Sequence, residues 1–402
     1  MAEQRNIHPS FERERRATFL LYIAGGIVIA PWSAIVPAVK IRNAMPDPVY
    51  ALMAMCYGVG AVAAMASAGL LVKRFGFKRV AAAFIAGNLA FMSTLAWDAA
   101  PMWSAFPSAI LWGAALGGYE VAINIHSSSL ETRSGRSLIT VYTAIFTLGC
   151  VLSTLCYPVF MSLGGRLDLI TLLVGAAAAL VFAAALPGIG DTRGQKQAAS
   201  PGDRGMYARG FGRGALICAG MIAGITYLAE GTIYDWSGVY LTTACGVELS
   251  LASAGYIAYE ACLGLARYAS PVILKHIGTR RMLILGAAAG AAAMLMVSLT
   301  ASGWAVAACC GLFGLCAACH VPVVISETGR RCGPDRAAAI GVVSSMGYTG
   351  VLLGPALMGL VSLEFGTGVI FAADAVLLLL MSALCARFMG GGASARAGGG
   401  ES

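Results

Sequence analysis

GLLVKRFGFKR (residues 69–79) and PVILKHIGTRR (residues 271–281) are the two stretches from which the fold is read. Each closes an apolar run on a pair of basic residues, turns at a glycine, and opens the next apolar run with two more basic residues. Gly69, Lys73, Arg74, Gly76, Lys78 and Arg79 correspond to Pro271, Lys275, His276, Gly278, Arg280 and Arg281 at a constant offset of 202 residues. Gly149 and Gly350 keep nearly that offset. In a chain of 402 residues such a repeat means two related halves.

Outward from these turns the chain is almost continuously apolar. It is 58% hydrophobic and 11% charged, too apolar to present a wetted surface, so a soluble fold is excluded. Runs of about 20 apolar residues, the length that crosses a bilayer core, recur throughout. Bounded by charges or Pro/Gly turns, they predict spans at 17–39, 49–72, 79–97, 103–128, 138–163 and 167–187, then at 214–238, 250–274, 281–300, 303–327, 337–361 and 367–388. Residues 188–213 interrupt the pattern with Arg193, Lys196, Arg204, Arg209 and Arg213 among Gly, Pro, Ser and Gln, a polar linker. The expectation is an all-α integral membrane protein of twelve transmembrane helices in two pseudo-symmetric six-helix bundles. The bundles are residues 1–187 and 214–402, the second ending in a short cytoplasmic tail.

The net charge of +8 is distributed as topology, not as a nucleic-acid patch. With both termini cytoplasmic, only Lys40, Arg42 and Arg166 of the 27 Lys and Arg fall on the outer side, and Arg267 falls inside a span. Arg13, Arg15 and Arg16 precede a first apolar run that lacks a small-residue cleavage site, which reads as a retained helix in a cell inner (plasma) membrane. The 12 cysteines lie among small apolar residues and behave as small hydrophobes. Cys316, Cys319 and His320 spell a haem-attachment pattern, read here as coincidence because it sits inside an apolar span. No nucleotide-binding loop occurs, so ATP coupling within this chain is disfavoured. Neither metal nor cofactor is expected, no enzymatic chemistry is required, and the chain is taken to work as a monomer in the lipid bilayer.

The basic loops resemble the signature of the major facilitator superfamily, with Lys73 and Lys275 standing where an acidic residue is expected. Trp32, Ser33 and Pro37, the stretch EVAIN (120–124), EGTIYDWS (230–237), GYTG (347–350), Gly354 and Pro355 are similar to the MosC-like, rhizopine-transport-like branch of that superfamily. That branch usually has Arg at Ile35, Asp at Glu120 and His at Thr143, so the polar lining has changed. The resemblance implies alternating access of the halves about a midplane site. It also implies a small polar substrate, a sugar, polyol or amino-sugar-like compound, moved by proton-coupled symport. A proton-antiporting exporter of a drug or metabolite uses the same architecture, and a non-transporting receptor is the third class the residues leave open.

Ionisable side chains within a span cost roughly 2.5–3.5 kcal/mol on insertion scales, so each one here is a candidate for function. Glu120 lies near the middle of span 4 with Asn124 one turn further on the same face. Removal from water favours the neutral form of a carboxyl group, so Glu120 and Glu230 are read as proton-coupling residues. Glu260 and Arg267, about 10 Å apart along span 8, share a face without pairing directly. They are assigned to substrate binding with Trp32, Tyr119, Asn124, Tyr227, Asp235, Tyr256 and His320, aromatic rings serving to stack on the solute. Asp235 and Trp236 are placed near the surface, His320 at the position equivalent to Glu120, and Asp374 in a structural role.

Overall fold

The computed structural model describes residues 9–134, 138–190, 213–332 and 336–397. The expected linker at 188–213 lies mostly outside them. Among the described residues the chain is helical, without strands: α1 (Pro9–Ile29), α2 (Trp32–Arg42), α3 (Asp47–Phe75), α4 (Phe77–Ala96), α5 (Ala105–Ser134), α6 (Ile139–Ser162), α7 (Leu167–Ala185), α8 (Arg213–Thr243), α9 (Ala254–Ile277), α10 (Thr279–Leu299), α11 (Gly303–Ala317), α12 (His320–Cys332), α13 (Arg336–Phe365) and α14 (Val369–Ala397). These make twelve spans, because α1 with α2 and α11 with α12 are each one span in two pieces. Eleven of the twelve are long and apolar enough to cross a membrane on composition alone. The twelfth, α5, has 30 residues and is diluted by Tyr119, Glu120, Asn124, His126 and a run of serines.

Spans 1 and 10 were each expected as one continuous helix, and both are broken for the same reason. Pro31 has no N–H for the carbonyl one turn back, and the helix restarts with Ser33 bonding the Ala30 carbonyl through its backbone and its hydroxyl. Pro322 likewise cannot bond back to residue 318, and α11 ends at Ala317.

The chain forms two compact units, residues 1–43 with 56–197 and residues 44–55 with 198–402. In the first, α1 packs on α6 and α7, and α4 packs on α5 and α7. In the second, α8 packs on α13 and α14, and α10 packs on α11 and α14. The repeat therefore extends from sequence to packing. It reaches the backbone too: Gly76 and Gly278, the turns of the two basic loops, have φ of 83° and 79°, a region closed to side chains with a Cβ. Gly149 lets α6 approach α1 at Ile23, and Gly350 lets α13 approach α8 so closely that a Cβ would collide with the Gly224 carbonyl. The first turns of α3 pack within the second unit. There the Tyr50 hydroxyl donates to the Asp235 carbonyl, the Ser362 hydroxyl donates to the Asp47 carboxylate, and the Tyr50 ring stands edge-on to Trp236 at 4.8 Å.

Two of the three basic residues expected outside are locally consumed. Arg42 caps the end of α4, donating to the Leu95 and Trp97 carbonyls at 3.2 and 2.7 Å, where the helix dipole favours a cation. Arg166 pairs with Asp168 at 2.5 Å.

Candidate functional site

The second unit gathers the intramembrane charges. Glu230 stands on α8; Tyr256, Tyr259, Glu260 and Arg267 share one face of α9, opposite the exposed face of Leu265, Tyr268 and Val272. The Arg267 guanidinium lies within electrostatic range of Glu230, Tyr259, Glu260 and Tyr227. Glu260 does not close onto Arg267; its Oε1 accepts a hydrogen bond from the Tyr256 hydroxyl at 3.0 Å. Among the described residues the Tyr259 hydroxyl sits beside Glu230, short of a formed hydrogen bond, and the Arg267 Nε has no partner. Aromatic rings wall the cluster. Tyr234 lies 5.4 Å from Tyr256, and Tyr227 stacks on Tyr348 at 5.7 Å, in a space that exists because residue 347 is glycine. Glu230, Glu260, Arg267 and Tyr227 are only half-buried, so two acceptors, a guanidinium and unspent donors are presented together to whatever enters.

In the first unit the intramembrane carboxylate expected to carry a proton is Glu120. Glu120, Asn124 and Ser128 follow at four-residue intervals along α5, with Glu120 half-buried and the other two exposed. The Tyr22 hydroxyl donates to Asn124 Oδ1 at 2.9 Å and lies within electrostatic range of Glu120.

Other residues expected to bind solute are turned into the packing. Trp32 is fully buried, 4.2 Å from the Tyr57 ring and 5.4 Å from Trp112. Tyr119 is buried and gives its hydroxyl to the Leu21 carbonyl at 2.7 Å. His320 is buried at the first turn of α12, its Nε2 3.3 Å from the Leu283 carbonyl. Asp235 and Trp236, expected near the surface, are buried instead, because the first turns of α3 cover that face of α8. Asp374 is buried against α8 beside Thr232.

Tyr234, Tyr259 and Tyr348 were not among the expected site residues; of these only Tyr234, one turn from Glu230 on α8, carries a spacing signal. Nor was a polar group at the start of the first unit. Glu14 pairs with Arg133 at 2.9 Å, and His126 lies 3.9 Å from Glu14 and 3.2 Å from the Thr18 hydroxyl while stacking on Phe77 at 4.5 Å.

Residues 243–398 match the family model of the Major Facilitator Superfamily. An uncharacterised MFS-type transporter of Yersinia pestis is 26% identical over 388 residues, covering 94% of this chain and 97% of its own. The membrane protein MosC of Rhizobium meliloti is 25% identical over 351 residues, covering 86% and 83%. Among solved structures, a mutant of the nucleoside transporter NupG superposes with a TM-score of 0.73 at 13% identity, covering 94% of this chain and 99% of its own. A bacterial homologue of the human lysosomal transporter Spinster gives 0.72 at 14% identity, covering 95% and 97%. These likenesses agree with the resemblance read from residues 69–79 and 271–281, and the fold is the twelve-helix fold of that superfamily.

Proposed function

We propose that the chain, which has the twelve-helix major facilitator fold, is a secondary active transporter. It moves a small polar solute, of the sugar, polyol or amino-sugar class, by alternating access with proton symport. The observation that carries this reading is the half-open cluster of Glu230, Glu260 and Arg267 with its tyrosines. A half-buried guanidinium inside a span needs counter-charge, and here two carboxylates lie within electrostatic range of it. When Glu230 takes a proton, Arg267 loses one of its two counter-charges and gains capacity for solute oxygens; when the proton leaves, Glu230 competes for the guanidinium again. Solute and proton thereby favour each other's binding, which is what symport requires. Glu120 is the proton-carrying group of the other half. Asn124, Tyr227, Tyr256, Glu260 and Arg267 hold the solute, while Trp32, Tyr119, Asp235 and His320 support the helices that present them.

The chain is placed in a bacterial-type inner membrane with both termini cytoplasmic, in line with its bacterial relatives and the sidedness of its basic residues. A thermal-shift screen of purified protein against sugars, polyols, amino sugars, amino acids and nucleosides tests the reading first. A compound of the proposed class should raise the melting temperature of the wild type and leave that of Arg267→Ala unchanged. Stabilisation by amphipathic drugs alone would instead favour an exporter.

A further inference from the structure

The turns at Gly76 and Gly278 carry positive charge that nothing nearby balances. Lys73 and Arg74 close α3 and Arg79 opens α4; Lys275 closes α9, and Arg280 and Arg281 open α10. All six are exposed, and among the described residues none of them makes an ion pair. The Arg74 guanidinium rests over the ring of its neighbour Phe75 at 5.2 Å. Other arginines expected on the same side of the membrane are paired: Arg15 with Glu12, Arg133 with Glu14, and both Arg330 and Arg331 with Glu327. No acidic residue lies between Asp47 and Asp98 or between Glu260 and Glu327, so neither hairpin holds a counter-charge of its own. The acid that the superfamily signature would place at residues 73 and 275 is replaced by lysine both times.

Each turn also caps an exposed apolar stripe. On α3 the exposed positions run Ala63, Ala66, Leu70 and then Lys73; on α9 they run Leu265, Tyr268, Val272 and then Lys275. Spacings of three, four and three keep each series on one helix face, and the 202-residue offset relates the two residue for residue. Leu70 is 71% exposed and Tyr268 85%, so no other helix packs over them. Ten residues of helix rise about 15 Å, half of a hydrocarbon core of about 30 Å, so each stripe has the depth of one leaflet. An apolar strip one leaflet deep that ends in uncompensated cations is complementary to an amphiphile with an anionic head. The sidedness of Lys and Arg explains an excess of cations on one face, but not why these cations stand unpaired at the end of an exposed stripe in both halves. We propose that the α3–α4 turn and the α9–α10 turn are each a binding site for an anionic phospholipid. Its acyl chains lie along the stripe, and its headgroup is held by Lys73, Arg74 and Arg79 in one site and by Lys275, Arg280 and Arg281 in the other. Lys73 and Lys275 set the preference for charge, since a carboxylate at either position would repel the phosphate.

The test is native mass spectrometry of the full chain released from neutral detergent micelles, titrated with phosphatidylglycerol or with phosphatidylcholine of the same acyl chains. It needs no knowledge of the transported solute, so it stands or falls apart from the transport reading. Wild-type protein should retain two phosphatidylglycerol molecules at least tenfold more tightly than phosphatidylcholine. Lys73→Glu and Lys275→Glu should each lose one of the two, the double variant should lose both, and Lys73→Arg should keep both. Arg16→Glu makes the same change of charge at an exposed position of α1, outside either turn, and should keep both lipids. If Lys73→Glu does not fold, Lys73→Gln replaces it, with a severalfold weakening of one site expected. Equal retention of the two lipids by the wild type overturns the proposal. So does a loss in Arg16→Glu as large as in Lys73→Glu, which marks attraction by net charge without a site. Displacement of phosphatidylglycerol by glycerol 1-phosphate at equal concentration overturns it as well, because the stripe then contributes nothing and the turns bind only a free anion.

Discussion

Arg267 is the residue on which most depends. Removing one partner from a half-buried charge cluster inside a span leaves the others uncompensated. Arg267→Ala should lower the melting temperature substantially, and adding Glu230→Gln to it should recover much of the loss, because one stranded carboxylate is then neutral. Equal melting temperatures for the single and double variants would show that the two side chains do not share charge. Trp32 provides the contrast. Clamped between Tyr57 and Trp112, it should cost about 3–5 kcal/mol on truncation to Ala, while Trp32→Phe retains transport. Legibility at this scale followed charge. Glu230, Glu260 and Arg267 were visible in sequence because an ionisable group in an apolar run is conspicuous. Trp32, Tyr119 and His320 were not distinguishable from lining residues, since an aromatic or His on a helix looks alike whether it faces solute or a neighbouring helix. Glu14 was missed because a charged residue near a basic terminus reads as solvated surface, and His126 because a single His within an apolar span looks like a packing residue.

Helix contacts here are set by small residues rather than by a hydrophobic driving force, since lipid is as apolar as the interface. Gly350 meets the Gly224 backbone, whereas a Cβ at Gly231 on α8 would meet nothing within 4 Å. Gly350→Ala should therefore destabilise by roughly 1–3 kcal/mol, read as a lower melting temperature, while Gly231→Ala should be neutral or mildly stabilising. Most element boundaries were legible to within about five residues, but α1 starts eight residues before its expected span, and α5 and α14 run six and nine residues past theirs, because helix continues through charged residues beyond the apolar run. The breaks in spans 1 and 10 were not legible, because Pro31 and Pro322 stand inside runs whose hydropathy continues across them. The effect of a missing N–H is local geometry, which hydropathy does not record.

At the scale of the whole molecule the doubled architecture was the most legible feature, since it is written in the chain three ways: span length, sidedness of Lys and Arg, and the 202-residue offset. Topology gives a direct prediction. Leu163→Cys, at an exposed position after α6, and Lys275→Cys, at the end of α9, should react with a membrane-impermeant maleimide from opposite faces, and Lys73→Cys should react from the same face as Lys275→Cys. Labelling of Leu163→Cys and Lys275→Cys from one face would contradict the twelve-span arrangement. What the sequence could not supply is solute identity, because specificity resides in the placement of a few polar atoms that any chain of this composition can carry. Proton coupling is the claim that joins the two halves into one mechanism. It is tested most directly in proteoliposomes that enclose a pH-sensitive dye, given the compound found by the stabilisation screen under an inward solute gradient. Wild-type protein should acidify the lumen as solute enters, and Glu120→Gln and Glu230→Gln should admit solute without acidification; solute entry without proton movement in the wild type would contradict the account.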